Sequence, residues 1–177
     1  MRITISGATG SGKSTAAKML AKKLGYTYYS IGGLMRDMAK EKGLSLIELT
    51  KMAELDRQID NELDLRQKEI GKKENVLMDS RLGFYFIPDS FKIFLDVDIK
   101  EAAKRIMGDR RQEESYKDIN EAVSLLKKRM KSESLRYKKY YNIKFPAKKD
   151  FDLIIDTTSK TPDKVVDEII SNLRKGK

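Results

Sequence analysis

The segment Gly7-Ala8-Thr9-Gly10-Ser11-Gly12-Lys13-Ser14 decides the fold of this chain. It matches the pattern Gly-x-x-x-x-Gly-Lys-Ser/Thr, whose glycines let backbone N–H groups approach phosphate oxygens closely. Residues 2–6 before it are typical of a buried strand, and the apolar spacing of residues 16–24 after it indicates a helix. A helix start presents unpaired N–H groups to an anion. The segment and Thr15 therefore predict an ATP site, and the alternative is a glycine-rich turn without a ligand.

Three side chains are predicted to neutralise the negative charge of the phosphates. Lys13 supplies a mobile positive charge to the phosphates, and the Ser14 hydroxyl is a ligand for Mg²⁺. Asp79 ends a predicted strand, where a carboxylate can hold the same ion directly or through water. Aspartates at strand ends also occur as plain caps. We expect ATP and Mg²⁺ as cofactors, with the ion held by Ser14 and Asp79.

The composition narrows the chemistry. The 177 residues include no cysteine and no histidine, which excludes disulfides, thiolate nucleophiles and the commonest general base. Phosphoryl transfer fits, since it depends mainly on positioning and on cations. The net charge of +10 is compatible with a nucleic-acid surface, a pocket for polyanionic small molecules or a solvated exterior. Because the basic residues are spread along the chain, we favour the last two.

No apolar run approaches the roughly 18 residues of a membrane span, and the N-terminus enters a strand directly. We therefore expect a cytoplasmic protein that has no signal peptide, does not contact membranes or nucleic acid, and is a monomer.

Short β-rich segments alternate with longer helical ones, which predicts an α/β three-layer sandwich around a five-stranded parallel sheet. The predicted strands are Arg2–Ser6, Thr27–Ser30, Val76–Asp79, Lys92–Val97 and Leu153–Asp156. The predicted helices are Lys13–Leu24, Gly33–Lys42, Ser45–Ile70 with a break near Leu55-Asp56, Ile99–Glu114, Asp118–Tyr140 and Pro162–Arg174.

Two segments interrupt this alternation. Residues 31–73 contain too much helix for one crossover, and residues 107–118 are polar and poorly periodic. We interpret the first as an inserted substrate domain and the second as a short, mobile lid. The core then comprises residues 1–30, 74–106 and 119–177.

The segment after the second strand predicts a second anion site. Ser30, Gly32, Gly33 and Arg36 follow the carboxyl end of that strand, the edge at which open α/β sheets bind ligands. Arg36 can hold a phosphate bidentately, with Ser30 and the glycine backbone available to the sugar or phosphate. For an arginine alone, a solvated helix position is the alternative.

Asp60 belongs to a polar stripe with Asp64 and Gln67 on one predicted helix. Its carboxylate can accept a hydrogen bond from the exocyclic amine of an amino-pyrimidine, although such a stripe is also typical of a solvated surface. Arg81 follows the strand that ends at Asp79, which predicts that it faces the substrate.

Arg129, Glu133 and Arg136 lie on one face of a later predicted helix. Together with Arg105 and Arg110 near the lid, the arginines can enclose a transferring phosphoryl group. An exposed ion pair between Arg129 and Glu133 is the plain alternative.

With these residues in place, the chain resembles archaeal-type cytidylate kinases of the P-loop nucleoside monophosphate kinase family. The resemblance covers nearly the whole chain. It rests on Ile5 through Thr15, Ser30 through Arg36, Gly43 through Leu46, Ile59 through Gln67, Asp79-Ser80-Arg81-Leu82, and Arg129 through Tyr137 followed by Tyr141.

The resemblance implies a P-loop kinase core, a nucleoside-monophosphate-binding insert at residues 31–73 and a lid at residues 107–118. It implies ATP on the phosphate loop and CMP or dCMP between Arg36, Asp60, Arg81, Arg129 and Arg136. It also implies Lys13, Arg81, Arg110 and Arg129 as catalytic residues and Glu133 near the base. The chain has Ser80 where the family commonly has glycine, and we expect this serine to narrow the space beside the substrate.

The resulting hypothesis is transfer of the ATP γ-phosphate to CMP or dCMP. The alternatives are another nucleoside monophosphate kinase, such as an adenylate-kinase-like enzyme, and a nucleotide-switched RNA-binding or assembly ATPase.

Overall fold

The computed structural model describes residues 1–45, 48–49, 52–53, 57–108, 116–146 and 148–175. The chain forms two compact units. Unit 1 comprises Met1–Ser6 with Ala17–Lys92, and unit 2 comprises Gly7–Ala16 with Ile93–Lys177.

The sheet has five strands in the order β2-β3-β1-β4-β5. They are β1 (Arg2–Gly7), β2 (Thr27–Ser30), β3 (Val76–Asp79), β4 (Phe91–Asp96) and β5 (Leu153–Asp156). The described helices are α1 (Lys13–Leu24), α2 (Ile31–Glu41), α3 (Arg57–Gly71), α4 (Gly83–Phe86), α5 (Ile99–Gly108), α6 (Ile119–Tyr141) and α7 (Pro162–Lys175). The prediction of an α/β fold around a five-stranded parallel sheet is confirmed.

Unit 1 is built on the parallel strands β2, β3 and β1. The register pairs Asp79 with Ser30 on one side and with Ile5 on the other, so β2 and β3 end level with one another and β1 continues for two more residues. Ile5 and Leu77 are fully buried, as expected for parallel strands that are covered on both faces. The side chains that follow these strands therefore share one edge of the sheet.

Arg66 of α3 connects two helices of unit 1. Its guanidinium donates to Glu41 of α2, with Nη1 3.1 Å from Oε1, and to Glu62 of α3, with Nη2 2.7 Å from Oε1. These hydrogen bonds hold the pKa of both carboxyl groups below the usual glutamate value. Lys42 adds a contact to Glu62 at 3.1 Å. We call this set of contacts the Arg66 bridge.

Unit 2 is built on the parallel pair β4 and β5, in which Leu95 lies opposite Ile155. Its helices α5 and α6 share a buried cluster formed by Ala102, Ala103, Ile106, Ala122 and Leu126. Because three of these side chains are alanines, the helix backbones approach each other closely.

The helix boundaries refine the predictions. Ser45 and Glu48 form a reciprocal cap, in which Ser45 N donates to Glu48 Oε2 at 2.7 Å and Glu48 N donates to Ser45 Oγ at 3.2 Å. The α2 helix begins at Ile31, two residues before its predicted start. The predicted break at Leu55-Asp56 and the end of the helix predicted to reach Glu114 lie outside the described residues. None of the described helices has the length and apolar character that a bilayer crossing requires.

Candidate functional site

The phosphate loop of unit 2 packs tightly against strand β4 and helix α5. Ala8 N donates to the Leu95 carbonyl oxygen at 3.2 Å, and a Cβ atom at Gly7 would lie 2.5 Å from that same oxygen. Gly10 has a φ of +80°, and a Cβ atom there would lie 2.8 Å from Ala102. The loop therefore has room only for glycine at these two positions.

Gly10 and Gly12 offer a matched pair for testing this packing. Both have positive φ, +80° and +76°, but a Cβ atom at Gly12 would meet nothing within 4 Å. Gly10→Ala and Gly12→Ala should share the conformational cost of about 1–2 kcal/mol. We expect Gly10→Ala to lower the free energy of unfolding by about 1–3 kcal/mol more, because it also overpacks against α5. Urea unfolding measures the difference, and equal losses would contradict the close packing.

The loop is also held from the end of strand β5. The Thr157 hydroxyl lies 3.1 Å from the Ser11 carbonyl oxygen and 2.9 Å from the Asp96 carbonyl oxygen. Arg105 Nη2 donates to the carbonyl oxygens of Thr157 and Thr158 at 2.8 and 3.0 Å, and its Nη1 lies 3.4 Å from the Gly10 carbonyl oxygen. Arg105 thus connects a backbone carbonyl of the loop to two carbonyls of the segment that follows β5.

A pocket of about 150 Å³ opens between the phosphate loop, helix α5 and the segment that follows β5. Its lining includes Ser11, Gly12, Arg105, Thr157, Lys160 and Pro162. The Ser11 hydroxyl is buried and has no hydrogen-bond partner within the part of the chain that the structure describes. The pocket adjoins the phosphate loop and combines a flat cation with apolar walls, which suits a nucleotide base. Sequence reasoning did not assign Thr157 or Lys160, because they lie in a loop with no motif of its own.

The predicted phosphate ligands occupy the start of helix α1. Lys13 is its first residue, and the hydroxyl-bearing residues Ser14 and Thr15 are exposed in its first turn. First-turn N–H groups have no intrahelical partner, so this end of a 12-residue helix suits an anion. The loop glycines and this helix start fit the triphosphate of ATP.

A second helix start lies in unit 1. Ser30 caps α2 by accepting a hydrogen bond from Gly33 N at 3.0 Å, so its side chain has a structural role at this position. Arg36 is exposed, and its Nη1 lies 3.6 Å from the Cβ position of Gly32. The guanidinium therefore lies back along the helix toward its positive end, which concentrates charge where a phosphate was predicted.

Asp79 is buried at the end of β3, where its Oδ2 accepts a hydrogen bond from the Tyr28 hydroxyl at 3.0 Å. Arg81 is half-buried two residues later, and its backbone is held by Ser6, whose hydroxyl lies 2.9 Å from the Arg81 carbonyl oxygen. Both predicted residues thus have fixed backbones at the carboxyl edge of unit 1. Among the described residues, no group of three or more acidic side chains forms a metal site.

Helix α3 carries the predicted base-reading stripe. Asp60 is half-buried in its first turn, and Gln67 is buried two turns later with 2% of its surface exposed. Gln67 therefore lies partly on the core face with Ile59 and Leu63. The polar and apolar faces of the helix are thus less sharply separated than the sequence pattern indicates. Its Oε1 accepts a hydrogen bond from the buried Ser80 hydroxyl at 2.7 Å.

Helix α6 of unit 2 carries the remaining predicted residues. Arg129 Nε donates to Glu133 Oε1 at 3.2 Å, and the arginine side chain is 51% exposed whereas the glutamate is 17% exposed. The Arg136 guanidinium lies 5.6 Å from the ring centre of Tyr137. Arg110 lies outside the described residues.

The sequence profile of the cytidylate kinase-like family matches residues 2–159. The chain belongs to this family. It is 42% identical over 168 residues to the cytidylate kinase of Natronomonas pharaonis, covering 93% of this chain and 85% of that protein. It is 37% identical over 175 residues to the cytidylate kinase of Methanobrevibacter smithii, covering 98% and 99%.

A solved structure shares the fold of this member of the cytidylate kinase-like family. The shikimate kinase of Bacteroides thetaiotaomicron superposes with a TM-score of 0.73 over 98% of each chain, at 15% sequence identity. At that identity the likeness concerns the fold alone. The family resemblance predicted from the motifs is confirmed by the profile and the relatives, whereas the roles of the individual site residues stay predictions.

Proposed function

We propose that this protein is a cytidylate kinase that transfers the γ-phosphate of ATP to CMP or dCMP, giving ADP and CDP or dCDP. The observation that carries the proposal is the alignment of the chain, over nearly its full length, with cytidylate kinases. An arginine-bearing helix start in unit 1, suited to a second phosphate, supports it. A cytoplasmic location and a monomeric state are part of the proposal.

In the proposed donor half, the loop Gly7–Ser14 and Thr15 bind the triphosphate through backbone N–H groups and the Lys13 charge. The pocket beside Arg105 and Thr157 accommodates the adenine base. Ser14 and Asp79 supply the oxygen ligands for Mg²⁺, which neutralises phosphate charge when it is bound.

In the proposed acceptor half, Arg36 and Arg81 bind the 5′-phosphate of the monophosphate, with the N–H groups near Gly32 and Gly33 contributing. Asp60 accepts a hydrogen bond from the cytosine amine. Arg129, Glu133, Arg136 and the lid arginine Arg110 keep the roles that the resemblance implies for them.

The chemistry requires no dedicated base. A 5′-phosphate oxygen of CMP attacks the γ-phosphorus of ATP, a new P–O bond forms, and the bond to the β-phosphate oxygen breaks with ADP as leaving group. The acceptor phosphate is already an anionic nucleophile, so the protein contributes orientation and positive charge. This agrees with a chain that lacks histidine and cysteine.

A coupled assay of ADP formation across CMP, dCMP, UMP and AMP tests the proposal. We expect the highest kcat/KM for CMP or dCMP. Preference for AMP would indicate an adenylate-kinase-like enzyme. Slow ATP hydrolysis without phosphorylation of any monophosphate, together with salt-sensitive RNA binding, would indicate the assembly ATPase.

Arg36→Ala tests the acceptor half. Loss of a charge-assisted contact to the 5′-phosphate should raise the KM for CMP at least about tenfold, with little change in the KM for ATP. Lys40→Ala is the matched control, because Lys40 is an exposed cation one turn further along the same helix. Equal CMP kinetics in the two variants would count against the placement of the phosphate at Arg36.

A further inference from the structure

The contact between Ser80 and Gln67 is a buried side-chain pair in unit 1. The Ser80 hydroxyl donates to Gln67 Oε1 at 2.7 Å, and the two residues are 4% and 2% exposed. The pair joins the residue that follows β3 to helix α3.

Ser80 is held in place by strand β1. Its N–H donates to the Ile5 carbonyl oxygen at 3.2 Å, and its carbonyl oxygen accepts a hydrogen bond from the Ser6 hydroxyl at 2.9 Å. Within the described chain, Gln67 Oε1 is the acceptor for the Ser80 hydroxyl. If the Gln67 amide rotated by half a turn, this buried O–H group would lose its acceptor, which costs more than an unused lone pair.

The amide of Gln67 therefore has a defined orientation, with its oxygen turned to Ser80 and its nitrogen turned away. The nitrogen has no hydrogen-bond partner in the described residues. Among those residues, Ser11 Oγ is the fully buried side-chain atom that lacks a partner, so the Gln67 nitrogen is not fully enclosed. Gln67 as a whole is nevertheless only 2% exposed, and its nitrogen lies on the helix that carries Asp60.

We propose that Ser80 is a positioning residue that fixes Gln67 as a hydrogen-bond donor to the acceptor base and thereby favours cytosine over uracil. The inference rests on the proposed function. Cytosine presents a donor at N4 and acceptors at N3 and O2, whereas uracil presents an acceptor at O4 and a donor at N3. The Asp60 carboxylate can accept from cytosine N4, and the Gln67 N–H₂ group can donate to cytosine N3. Because Ser80 fixes the Gln67 amide, its oxygen cannot turn toward the N3–H of uracil.

Ser80→Ala tests the proposal through the ratio of kcat/KM for CMP to kcat/KM for UMP. Without the serine hydroxyl, Gln67 can adopt either amide orientation and accept the uracil N3–H. We expect the ratio to fall about tenfold, since one mismatched buried hydrogen bond corresponds to about this factor. An unchanged ratio in the folded, active variant would overturn the proposal.

Ser90→Ala is the matched control. Ser90 is a buried serine of the same unit whose hydroxyl bonds to the Ile87 carbonyl oxygen at 2.7 Å and to Thr4 at 2.9 Å. It should lower the melting temperature without changing the CMP to UMP ratio. If both variants change the ratio alike, the effect is general loosening and the proposal is wrong.

A second test changes the substrate and uses the unaltered protein, so it does not depend on the folding of a variant. In 3-deaza-CMP a C–H group replaces N3, so the unaltered protein should phosphorylate it with a kcat/KM about tenfold below that for CMP. Equal values would overturn the role of Gln67 while leaving the cytidylate kinase proposal intact. Absence of CMP phosphorylation by the unaltered protein would instead contradict the proposed function itself.

Discussion

Lys13→Ala is expected to reduce kcat for CMP phosphorylation by about 10²–10³-fold, the usual effect of removing one preorganised group that stabilises transition-state charge. Lys13 begins helix α1 directly after the loop glycines, where the first-turn N–H groups have no intrahelical partner. Charge that develops on the transferring phosphoryl group would lose the side-chain cation that the loop motif supplies. Steady-state kinetics at saturating ATP and CMP measure the loss.

Lys22→Ala is the control for this variant, because Lys22 is an exposed lysine in the last turn of the same helix. It should retain the unaltered kcat. Both proteins should keep the melting temperature within a few degrees, since neither side chain belongs to the buried core. A folded Lys13→Ala protein with near-normal turnover would contradict the assignment of the loop as the donor site.

Arg105→Ala is expected to combine a loss of stability with a loss of activity. The guanidinium contacts the carbonyl oxygens of Thr157, Thr158 and Gly10, and its removal leaves these acceptors without a charged donor. We expect the free energy of unfolding to fall by about 2–4 kcal/mol. Because the loop loses an anchor, kcat/KM for ATP should fall by about 10²-fold, as expected for a displacement near 1 Å.

Lys104→Ala separates the role of Arg105 from the general effect of removing a cation. Lys104 precedes Arg105 on α5, is exposed and makes one long contact of 3.7 Å to Glu101. It should change both quantities little. If Arg105→Ala lowers stability but leaves the kinetics for ATP unchanged, the carbonyl contacts brace the fold without orienting the loop.

Much of the fold was predictable because it follows from local patterns. The β3 strand and the β5 strand have the predicted boundaries, since apolar runs that end in an aspartate are sharply delimited. The α2 helix begins earlier than predicted because the Ser30 side chain caps it and both glycines fit its first turn. Glycine lowers helix propensity, so the sequence pattern favoured a later start.

The candidate site was predictable only where a motif marks it. The phosphate loop and Arg36 follow strands in recognisable patterns, but Thr157 acts through its contact with Ser11, 146 residues away in the chain. The Ser80–Gln67 pair also depends on tertiary packing. Helical periodicity placed Gln67 on a polar stripe, yet its amide oxygen accepts a hydrogen bond from the buried Ser80, so most of the side chain lies in the core.

The Arg66 bridge has a consequence for how the protein selects a monophosphate by its length. It ties the helix that carries Arg36 to the helix that carries Asp60 and Gln67, so the proposed phosphate contact and the proposed base contacts lie on two helices that are joined by hydrogen bonds. The two helices therefore hold the distance between the phosphate contact and the base contacts before a ligand binds. A nucleoside without its phosphate can make only the base contacts, and a ligand of another length fits neither set of contacts well.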